Sequence, residues 1–223
     1  MLLQPMGDTA VVVGFGNVIG ATTLEKVRAA TIALETNPPL GTLDVMPAFT
    51  TITVVYDPAM PGGYATFQER LLACLKTVKR LRRGMVTTLT IPVCYGGEFG
   101  PDLGLVAQGA KLSERAAIAS HARPKYIVGA VGFAPGFPYL AGLPIKLHTP
   151  RRSNPRLKVP AGSVAIGGKQ TGVYPQESPG GWHLIGRTPL KLFNAEEVYP
   201  SLLKTGDQVQ FKAITAEEFA AWK

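Results

Sequence analysis

Short apolar runs bounded by turn residues dominate the start of the chain. The segments AVVVGF (10–15) and TITVVY (51–56) predict strands, and an Asp-Pro pair ends the second of them. Gly-Asp at 7–8 predicts a turn that leads from a short first strand into AVVVGF. The chain therefore opens with β structure.

Two segments in the same part of the chain have a helical period instead. The first predicted helix begins at a capping box formed by Thr22 and Glu25 and ends at Asn-Pro-Pro, residues 37–39. The second runs from about residue 65 to residue 83 and ends at Gly84. The predicted buried faces contain Leu24, Val27, Thr31 and Leu34 in the first helix, and Phe67, Leu71, Leu75 and Val78 in the second. The order β-β-α-β-α is typical of a small α+β domain.

After Gly84 the pattern changes to β-like runs separated by Gly and Pro. VTTLTIPVCY (86–95) predicts a strand, and PDLGLVA and SERAAIASHA predict two short helices. Further strands are predicted in YIVGAVGF, SVAI, TGVY, WHLIG, LKLF and QVQFKAI. Many short strands with tight turns favour a barrel or a sandwich. We therefore place a domain boundary near residue 85, with an α+β domain over residues 1–85 and a β domain over residues 86–223.

Composition narrows the class of protein. The chain has 223 residues and is 46% hydrophobic, which is enough to bury a core. It contains no run of about eighteen apolar residues, so we expect no membrane partner. The start MLLQPMGDT lacks the features of a signal peptide. Cys74 and Cys94 form no C-x-x-C or zinc pattern, and reduced thiols of a cytoplasmic protein are expected.

The net charge of +8 raises the question of a nucleic-acid partner. One basic cluster, KTVKRLRR (76–83), lies at a predicted helix end, where cations complement the helix dipole. The other, PRRSNPRLK (150–158), has no interleaved aromatic residues. A solvated face or an acidic partner is favoured over DNA or RNA. The second cluster is the better candidate for a phosphate contact, because it leads directly into a glycine-rich stretch.

Three stretches approach nucleotide-binding motifs without matching them. GFGNVIG (14–20) has its last glycine one residue late for a dinucleotide fingerprint. AIGGKQTG has Ser163 in place of the first P-loop glycine and Gln170 in place of the magnesium-binding Ser or Thr. GWHLIGRT has Arg187 in place of the P-loop lysine, and a strand follows it. The histidines have no metal-ligand spacing and the biotinylation sequence AMKM is absent, so neither a metal site nor a biotin attachment site is predicted.

Four stretches resemble one protein family and occur in its order. They are CYGGEFGPDL (94–103), HARPKYIVGAVGFAPGFPYLAGLP (121–144), PRRSNPRLKVPAGSVAIGG (150–168) and QTGVYPQESPGGWHLIGRTPLKLF (170–193). The family is that of the B subunit of the bacterial ATP-dependent 5-oxoprolinase, also called allophanate hydrolase subunit 1. It includes a sporulation-kinase inhibitor. VMPAFTTITVVYDP (45–58) extends the resemblance into the first half of the chain.

The resemblance implies a fold and a function. It implies a small N-terminal α+β domain followed by a cyclophilin-like β-barrel. It also implies a 5-oxoprolinase subunit that is inactive alone and acts with the C and A subunits of that enzyme, with ATP and magnesium as substrate of the complex. The alternative that it implies is a regulator that inhibits a sensor histidine kinase through the barrel domain.

Opening a stable lactam requires donors around phosphate oxygens, a group that moves protons, and a cation for the substrate carboxylate. Backbone amides of Gly167, Gly168, Gly180 and Gly181 are candidate phosphate or substrate ligands together with Gln170, although tight barrel turns explain such glycines equally well. Arg187 is a candidate for the substrate carboxylate or a phosphate, or it ties two barrel loops together.

The candidate catalytic residues are Glu177, Glu98 and His121. Glu177 is the only acid in the stretch from Val159 to Pro189; its alternative is a turn residue or an ion-pair partner of Arg187. Glu98 is a general base or a surface turn residue. His121 either complements a helix dipole or reaches a pocket.

Other residues near these candidates have a simpler interpretation. Asp102 precedes a predicted helix and is expected to be its N-cap. The aromatic residues Phe133, Phe137 and Tyr139 either wall a pocket or pack in the core, and core packing is the default for such residues.

Overall fold

The computed structural model of the chain describes residues 1–78 and 88–222. The chain falls into two compact units, residues 1–85 and residues 86–223. The boundary predicted near residue 85 lies among residues 79–87, outside the described residues.

The first unit is an antiparallel sheet with two helices. Its sheet has the order β1-β2-β4-β3. The elements are β1 (Leu2–Met6), β2 (Ala10–Gly14), α1 (Ala21–Thr36), β3 (Thr42–Ala48), β4 (Thr51–Tyr56) and α2 (Gly63–Lys76). Alternate residues of β2 and β4, among them Val11, Val13, Ile52 and Val54, form one core with the predicted apolar helix positions. The α+β class predicted for this unit is confirmed.

The ends of both helices differ from the prediction. Helix α1 begins at Ala21, one residue early, and its N-cap is Gly20 in extended conformation without a side-chain cap, so the predicted capping box is wrong. Helix α2 ends at Lys76, and the Thr77 hydroxyl donates to the Cys74 carbonyl over 2.7 Å. This local bond competes with helix continuation. Residues 79–84 of the predicted helix end lie outside the described residues.

Strand β3 was not predicted, for a physical reason. Its register on β4 shifts between Thr42 and Asp44, and it contains Pro47. A bulge and a proline both interrupt the alternation that identifies a strand in the sequence. The first unit therefore has the order β-β-α-β-β-α.

The second unit is built on seven strands that close into a barrel. The barrel strands pair in the order β6-β13-β5-β12-β9-β10-β7, and β7 returns to β6. All neighbours are antiparallel except β13 and β5. The barrel strands are β5 (Thr88–Tyr95), β6 (Lys125–Val131), β7 (Pro138–Ala141), β9 (Ser163–Gly167), β10 (Gln170–Val173), β12 (His183–Arg187) and β13 (Gln208–Ile214).

Other elements surround the barrel. They are α3 (Leu103–Gly109), α4 (Glu114–Ala122), α5 (Ala216–Ala220), a 3₁₀ turn (Ile145–Leu147) and a two-stranded ribbon of β8 (Arg156–Val159) and β11 (Ser178–Gly180). Buried side chains from the strands, including Ile91, Val164 and Ile185, form the main core with Val106 of α3 and Ala117 of α4. The predicted fold class, α+β with a C-terminal β-barrel, is confirmed.

Several short elements of this unit were assigned wrongly or missed. LKLF (190–193) is not a strand, because only an isolated bridge joins Phe193 to Ser201. Strands β7, β8 and β11 are three or four residues long and were not predicted. Helix α5 was also missed, although Thr215 and Glu218 form a complete capping box. Among the described residues, no helix has the length and hydropathy of a membrane span.

Candidate functional site

The basic stretch at residues 150–158, here called the arginine loop, crosses the start of β12. The Arg152 amide donates to the Gly181 carbonyl over 2.8 Å. Nε2 of His183 donates to the Pro150 carbonyl over 2.9 Å. The loop then continues into β8, which pairs with β11. These backbone contacts place four basic side chains of the loop beside the glycine-rich stretch.

One buried carboxylate organises the arginine loop. Asp102 accepts two hydrogen bonds from Arg156, of 2.8 and 2.9 Å, and one from Arg152 of 3.3 Å. It also accepts the Leu184 amide over 2.7 Å. A planar guanidinium matches a carboxylate in this two-point geometry. Asp102 therefore joins the start of α3, strand β12 and the arginine loop.

Asp102 occupies the predicted N-cap position of α3, but its side chain does not cap the helix. Two guanidinium groups and the Leu184 amide occupy its oxygens instead. With its oxygens held by these partners, the carboxylate accepts no amide from the first turn of α3.

The ionisation of Asp102 reflects these partners. Burial raises the pKa of its carboxyl, but the hydrogen bonds from Arg156 and Leu184 and the charges of Arg156 and Arg152 outweigh burial. The net effect lowers the pKa below its ordinary value. Asp102 is therefore ionised at neutral pH.

Aromatic rings form a wall beside the arginine loop. Rings of Phe137, Tyr139, Tyr174 and Trp182 contact one another edge to face, at centroid distances of 4.9 to 5.8 Å. The Arg151 guanidinium lies 6.0 Å from the centre of the Trp182 ring. This places a cation on an aromatic face, which is an attractive arrangement. Phe137 is buried in this cluster, which confirms core packing for this residue.

Two of the candidate glycines make room for this wall. A Cβ on Gly167 would lie 2.5 Å from the Trp182 ring, and one on Gly180 would overlap the Tyr174 hydroxyl. Close approach of a ring therefore explains why both positions are glycine. Their assignment as phosphate or substrate ligands stays a prediction.

The other backbone candidates have partners within the barrel. The Gly168 amide, at φ +63°, donates to the Thr149 carbonyl over 2.7 Å. The Gly181 carbonyl accepts the Arg152 amide. Gln170 is the first residue of β10 and pairs with Gly167. These contacts place the three residues at the same end of the barrel as the arginine loop.

Glu177 lies beside the arginine loop and is open to solvent. Its side chain is 59% exposed, and its Oε1 is 3.4 Å from Nζ of Lys158. Its ion-pair partner is therefore Lys158 of β8, whereas the alternative interpretation had named Arg187. Such an exposed pair contributes little to stability. Because the side chain is exposed, its carboxylate is accessible to a ligand.

Glu98 and Arg187 lie at another part of the barrel. Glu98 is exposed in the turn after β5. Arg187 is at the end of β12, where it pairs with Cys94, and its Nε donates to the Ala161 carbonyl over 2.9 Å. This bond corresponds to the interpretation of Arg187 as a tie between barrel loops. The described contacts of both residues go to segments other than the arginine loop.

His121 is inside the barrel unit, at the centre of a directed hydrogen-bond chain. The Thr171 hydroxyl donates to the Ala165 carbonyl, so it accepts the His121 Nε2–H over 2.9 Å. Nδ1 then accepts the Tyr95 hydroxyl proton over 2.8 Å. Phe211 stacks on the imidazole at a centroid distance of 4.5 Å. Both ring nitrogens are thus satisfied by neighbouring side chains.

Burial decides the charge of His121. Removal from water lowers the pKa of the imidazole to about 3, so the ring is neutral at physiological pH. A neutral ring gains nothing from a helix dipole, and its two nitrogens are already engaged. The geometry favours a structural role, whereas the catalytic assignment stays a prediction.

The structure also identifies site residues that the sequence did not single out. Arg152 and Arg156 were recognised only as part of a basic cluster, and Asp102 only as a helix cap. The acid and its partners are about fifty positions apart, so no local pattern connects them. Among the described residues, no group of three or more His, Cys, Asp or Glu side chains is placed to hold a metal ion.

Comparison with known proteins gives the family. The sequence-family model described as the carboxyltransferase domain, subdomain C and D, matches residues 1–203. The chain belongs to this carboxyltransferase family. A relative from Bacillus subtilis (strain 168), named as the B subunit of 5-oxoprolinase, is 42% identical over 234 aligned residues, which cover 99% of this chain and 96% of the relative. The protein of that name from Escherichia coli O157:H7 is 57% identical over 123 residues, covering 55% and 56% of the two chains.

Solved structures of similar chains agree with the fold. TTHA0988 superposes with a TM-score of 0.81 at 38% identity, over 92% of this chain and 40% of that chain. PH0987 from Pyrococcus horikoshii, described as a conserved uncharacterized protein, is 42% identical with a TM-score of 0.59, over 98% of this chain and 100% of that chain. The urea amidolyase of K. lactis has the same fold at 17% identity and a TM-score of 0.76, covering 98% of this chain and 15% of that chain.

Replacing Asp102 tests the carboxylate that organises the arginine loop. Asp102→Asn leaves two guanidinium groups without their anion. We expect a loss of about 2–3 kcal/mol in the free energy of unfolding at pH 7, at the low end for a buried pair because both arginines are partly exposed. Urea unfolding followed by circular dichroism measures it. Glu196→Gln, at an exposed acid of the same unit, is the control and should change stability by less than about 0.5 kcal/mol.

The lowered pKa of Asp102 also predicts how the stability difference between the wild type and Asp102→Asn changes with pH. The pKa of Asp102 is lower in the folded chain than in the unfolded one, so its contribution is present above about pH 3.8 and is lost as the pH falls through the folded value. The stability difference between the wild type and Asp102→Asn should shrink below about pH 4. A constant difference down to pH 2 contradicts the ion-pair interpretation.

Burial of His121 predicts a second loss of folding stability as the pH falls, separate from that of Asp102. Its folded pKa of about 3 lies below the ordinary 6.5, so the unfolded chain takes up a proton first and stability falls as the pH drops below 6.5. Between pH 7 and pH 5 we expect His121 to account for a loss of about 2 kcal/mol. His121→Gln should lack this component. His148→Gln, at a half-buried histidine, is the matched control and should retain it.

Proposed function

We propose that this chain is one subunit of an ATP-dependent 5-oxoprolinase and acts with the larger C subunit of that enzyme and with its A subunit. The observation that carries the proposal is the 42% identity, over nearly the full length of both chains, to a protein named as the B subunit of 5-oxoprolinase. A second protein of that name is 57% identical over the region that it shares with this chain. The residues of the arginine loop supply chemistry that such a reaction needs.

The proposed reaction converts 5-oxoproline, ATP and water into glutamate, ADP and phosphate. The lactam oxygen attacks the γ-phosphorus of ATP, and the bond from that phosphorus to the ADP oxygen breaks. Water then adds to the activated carbon. The ring C–N bond breaks as the nitrogen takes up a proton, which leaves an acyl phosphate. A second water then attacks the same carbon to form the carboxylate, and the former lactam oxygen departs with phosphate. Each step develops negative charge on oxygen, so fixed cations and N–H donors lower its barrier.

In this proposal Arg152 of the arginine loop binds an anionic group of the substrates. Arg156 binds Asp102 through both terminal nitrogens, whereas Arg152 donates to it through one nitrogen only. The second terminal nitrogen of Arg152 can therefore donate to a carboxylate or a phosphate oxygen. Asp102 acts here as a positioning residue, because it holds both guanidinium groups in place. ATP and its magnesium ion enter as substrate.

Glu177 is the proposed proton-transfer group. It comes immediately before β11, and its carboxylate is exposed and near Lys158 of the arginine loop. A carboxylate in this position can accept a proton from the attacking water and give it to the departing nitrogen.

The first functional test is reconstitution. The purified chain alone is expected to hydrolyse no ATP in response to 5-oxoproline, whereas the chain mixed with the A and C subunits of the same genome is expected to do so. Coupled measurement of ADP and glutamate release, with each protein omitted in turn, checks this. Turnover by the chain alone contradicts the proposal. Absence of turnover in the full mixture also contradicts it and favours the histidine-kinase regulator implied by the family resemblance.

Glu177→Gln tests the proton-transfer role in the reconstituted complex. We expect kcat to fall about 10²-fold or more, with normal assembly and melting temperature. Lys158→Gln removes the same ion pair but keeps the carboxylate, and Glu196→Gln removes an exposed acid elsewhere. Both controls should keep kcat within about 3-fold of the wild type. Equal losses in Glu177→Gln and Lys158→Gln indicate that the ion pair acts by bracing the ribbon.

A further inference from the structure

An open apolar groove lies on the barrel unit, beside the aromatic wall but outside the arginine loop. Its volume is about 870 Å³, and its two sides are residues 131–136 and residues 199–204. Phe133, Phe193, Tyr199 and Leu202 supply large apolar side chains to the lining. None of the candidate site residues lines this groove, so it is a separate feature of the molecule.

Phe133 is held in an unusual conformation at the edge of the groove. Its φ is +72°, a value that bulky residues rarely adopt, and its side chain is 64% exposed. Edge contacts with Phe137 and Tyr174, at centroid distances of 5.5 and 6.2 Å, keep the ring in place. Strained residues that the surrounding structure maintains are concentrated at functional surfaces. Folding alone gives no reason to expose this ring.

The opposite side of the groove is also apolar and exposed. Tyr199 is 86% exposed and Val198, next to it, is 88% exposed. A small-molecule site encloses most of its ligand, whereas these side chains stand open to solvent. Apolar side chains that are exposed together along one groove are typical of a protein-contact surface. The groove therefore suits a segment of another protein.

The charge next to the groove specifies the kind of segment. The Tyr174 ring contacts Phe133 at one end, and its hydroxyl end lies against Gly180, which pairs with Arg156. Arg151, exposed above Trp182, adds a cation that has no carboxylate partner among the described residues. In the groove itself, Lys204 and Asp207 carry opposite charges. The surplus positive charge thus lies on the Phe133 side, where it complements acidic residues.

The comparisons indicate where such a segment comes from. The matching family is described as subdomains C and D of a carboxyltransferase domain. In TTHA0988 the part similar to this chain is 40% of the whole. The rest of that chain is therefore joined covalently to a region with this fold. A companion polypeptide is therefore available to cover an exposed groove.

We propose that this groove docks the C subunit of the enzyme through a segment that inserts an apolar side chain between Phe133 and Tyr199 and places acidic residues against Arg151. The proposal rests on the proposed function, because that function supplies the partner. Aromatic and arginine side chains are the residue types that dominate binding energy at interfaces. We therefore expect Phe133 and Arg151 to contribute most of the affinity on this side.

Phe133→Gly is the sharpest test. Glycine adopts φ +72° without strain, so the variant should melt at the wild-type temperature or above it. Its affinity for the C subunit, measured by isothermal titration calorimetry with full-length proteins, should fall at least 10-fold. Tyr199→Ala should also weaken binding. Ile145→Ala removes an equally exposed apolar side chain (83%) outside the groove and should bind like the wild type.

Two charge-reversal variants, one at the proposed interface and one elsewhere, test the electrostatic part of the proposed binding. Arg151→Glu should weaken binding at least 10-fold and make it less sensitive to salt, because an attractive charge contact is lost. Lys212→Glu makes the same charge change at an exposed position on β13 and should leave affinity within about 2-fold.

Each alternative outcome overturns the docking proposal in a recognisable way. Wild-type affinity in both Phe133→Gly and Arg151→Glu, with turnover intact in the reconstituted enzyme, overturns the groove and leaves the proposed function standing. No binding of the wild-type chain to the C subunit overturns both. A raised KM for 5-oxoproline or ATP with unchanged partner affinity identifies a ligand pocket instead. Self-association of the chain alone that Phe133→Gly abolishes identifies a second copy as the occupant.

Discussion

The interaction on which the candidate site depends is the carboxylate of Asp102 among Arg152, Arg156 and the Leu184 amide. It connects a helix start, a barrel strand and an exposed basic loop. An ionised carboxylate out of water is costly unless its oxygens are satisfied. Here four hydrogen bonds satisfy them, and the same bonds fix the direction of the guanidinium groups. The arginine loop is therefore preorganised before any anion arrives.

Closure of the barrel imposes a second constraint, on polar groups inside it. Once β7 pairs with β6 the interior is sealed, so a polar side chain there must find its partners among its neighbours. His121 meets this demand through Tyr95 and Thr171, and the directions of the three hydroxyl and imidazole protons are mutually consistent. The site thus separates into a dry, neutral interior and a charged outer end. In the proposed function, proton transfer and anion binding belong to the outer end, where Glu177 and the arginine loop remain accessible to ligands.

Much of the architecture follows from local patterns. Strand β4 was predicted over the residues that it occupies, and the buried face of α1 contains the four side chains expected. The missed elements are those whose sequence lacks a clean period, such as β3 with its bulge and Pro47. LKLF has the composition of a strand but no partner beyond one bridge at Phe193. Strand propensity decides little without a neighbour to pair with.

The sequence by itself determined the two-part organisation, the β-rich second half and the family, because hydrophobic periods and long motifs are properties of neighbouring residues. It also placed Glu177 and a basic cluster next to a glycine-rich stretch. Only the tertiary structure decided that the Asp102 side chain binds arginines and does not cap α3. It also decided that Glu177 pairs with Lys158. The close approach of aromatic rings to Gly167 and Gly180 is likewise a property of the folded chain. These outcomes depend on groups that the barrel brings together from distant parts of the chain. A carboxylate binds donors that lie next to it, and only the folded chain determines which donors those are.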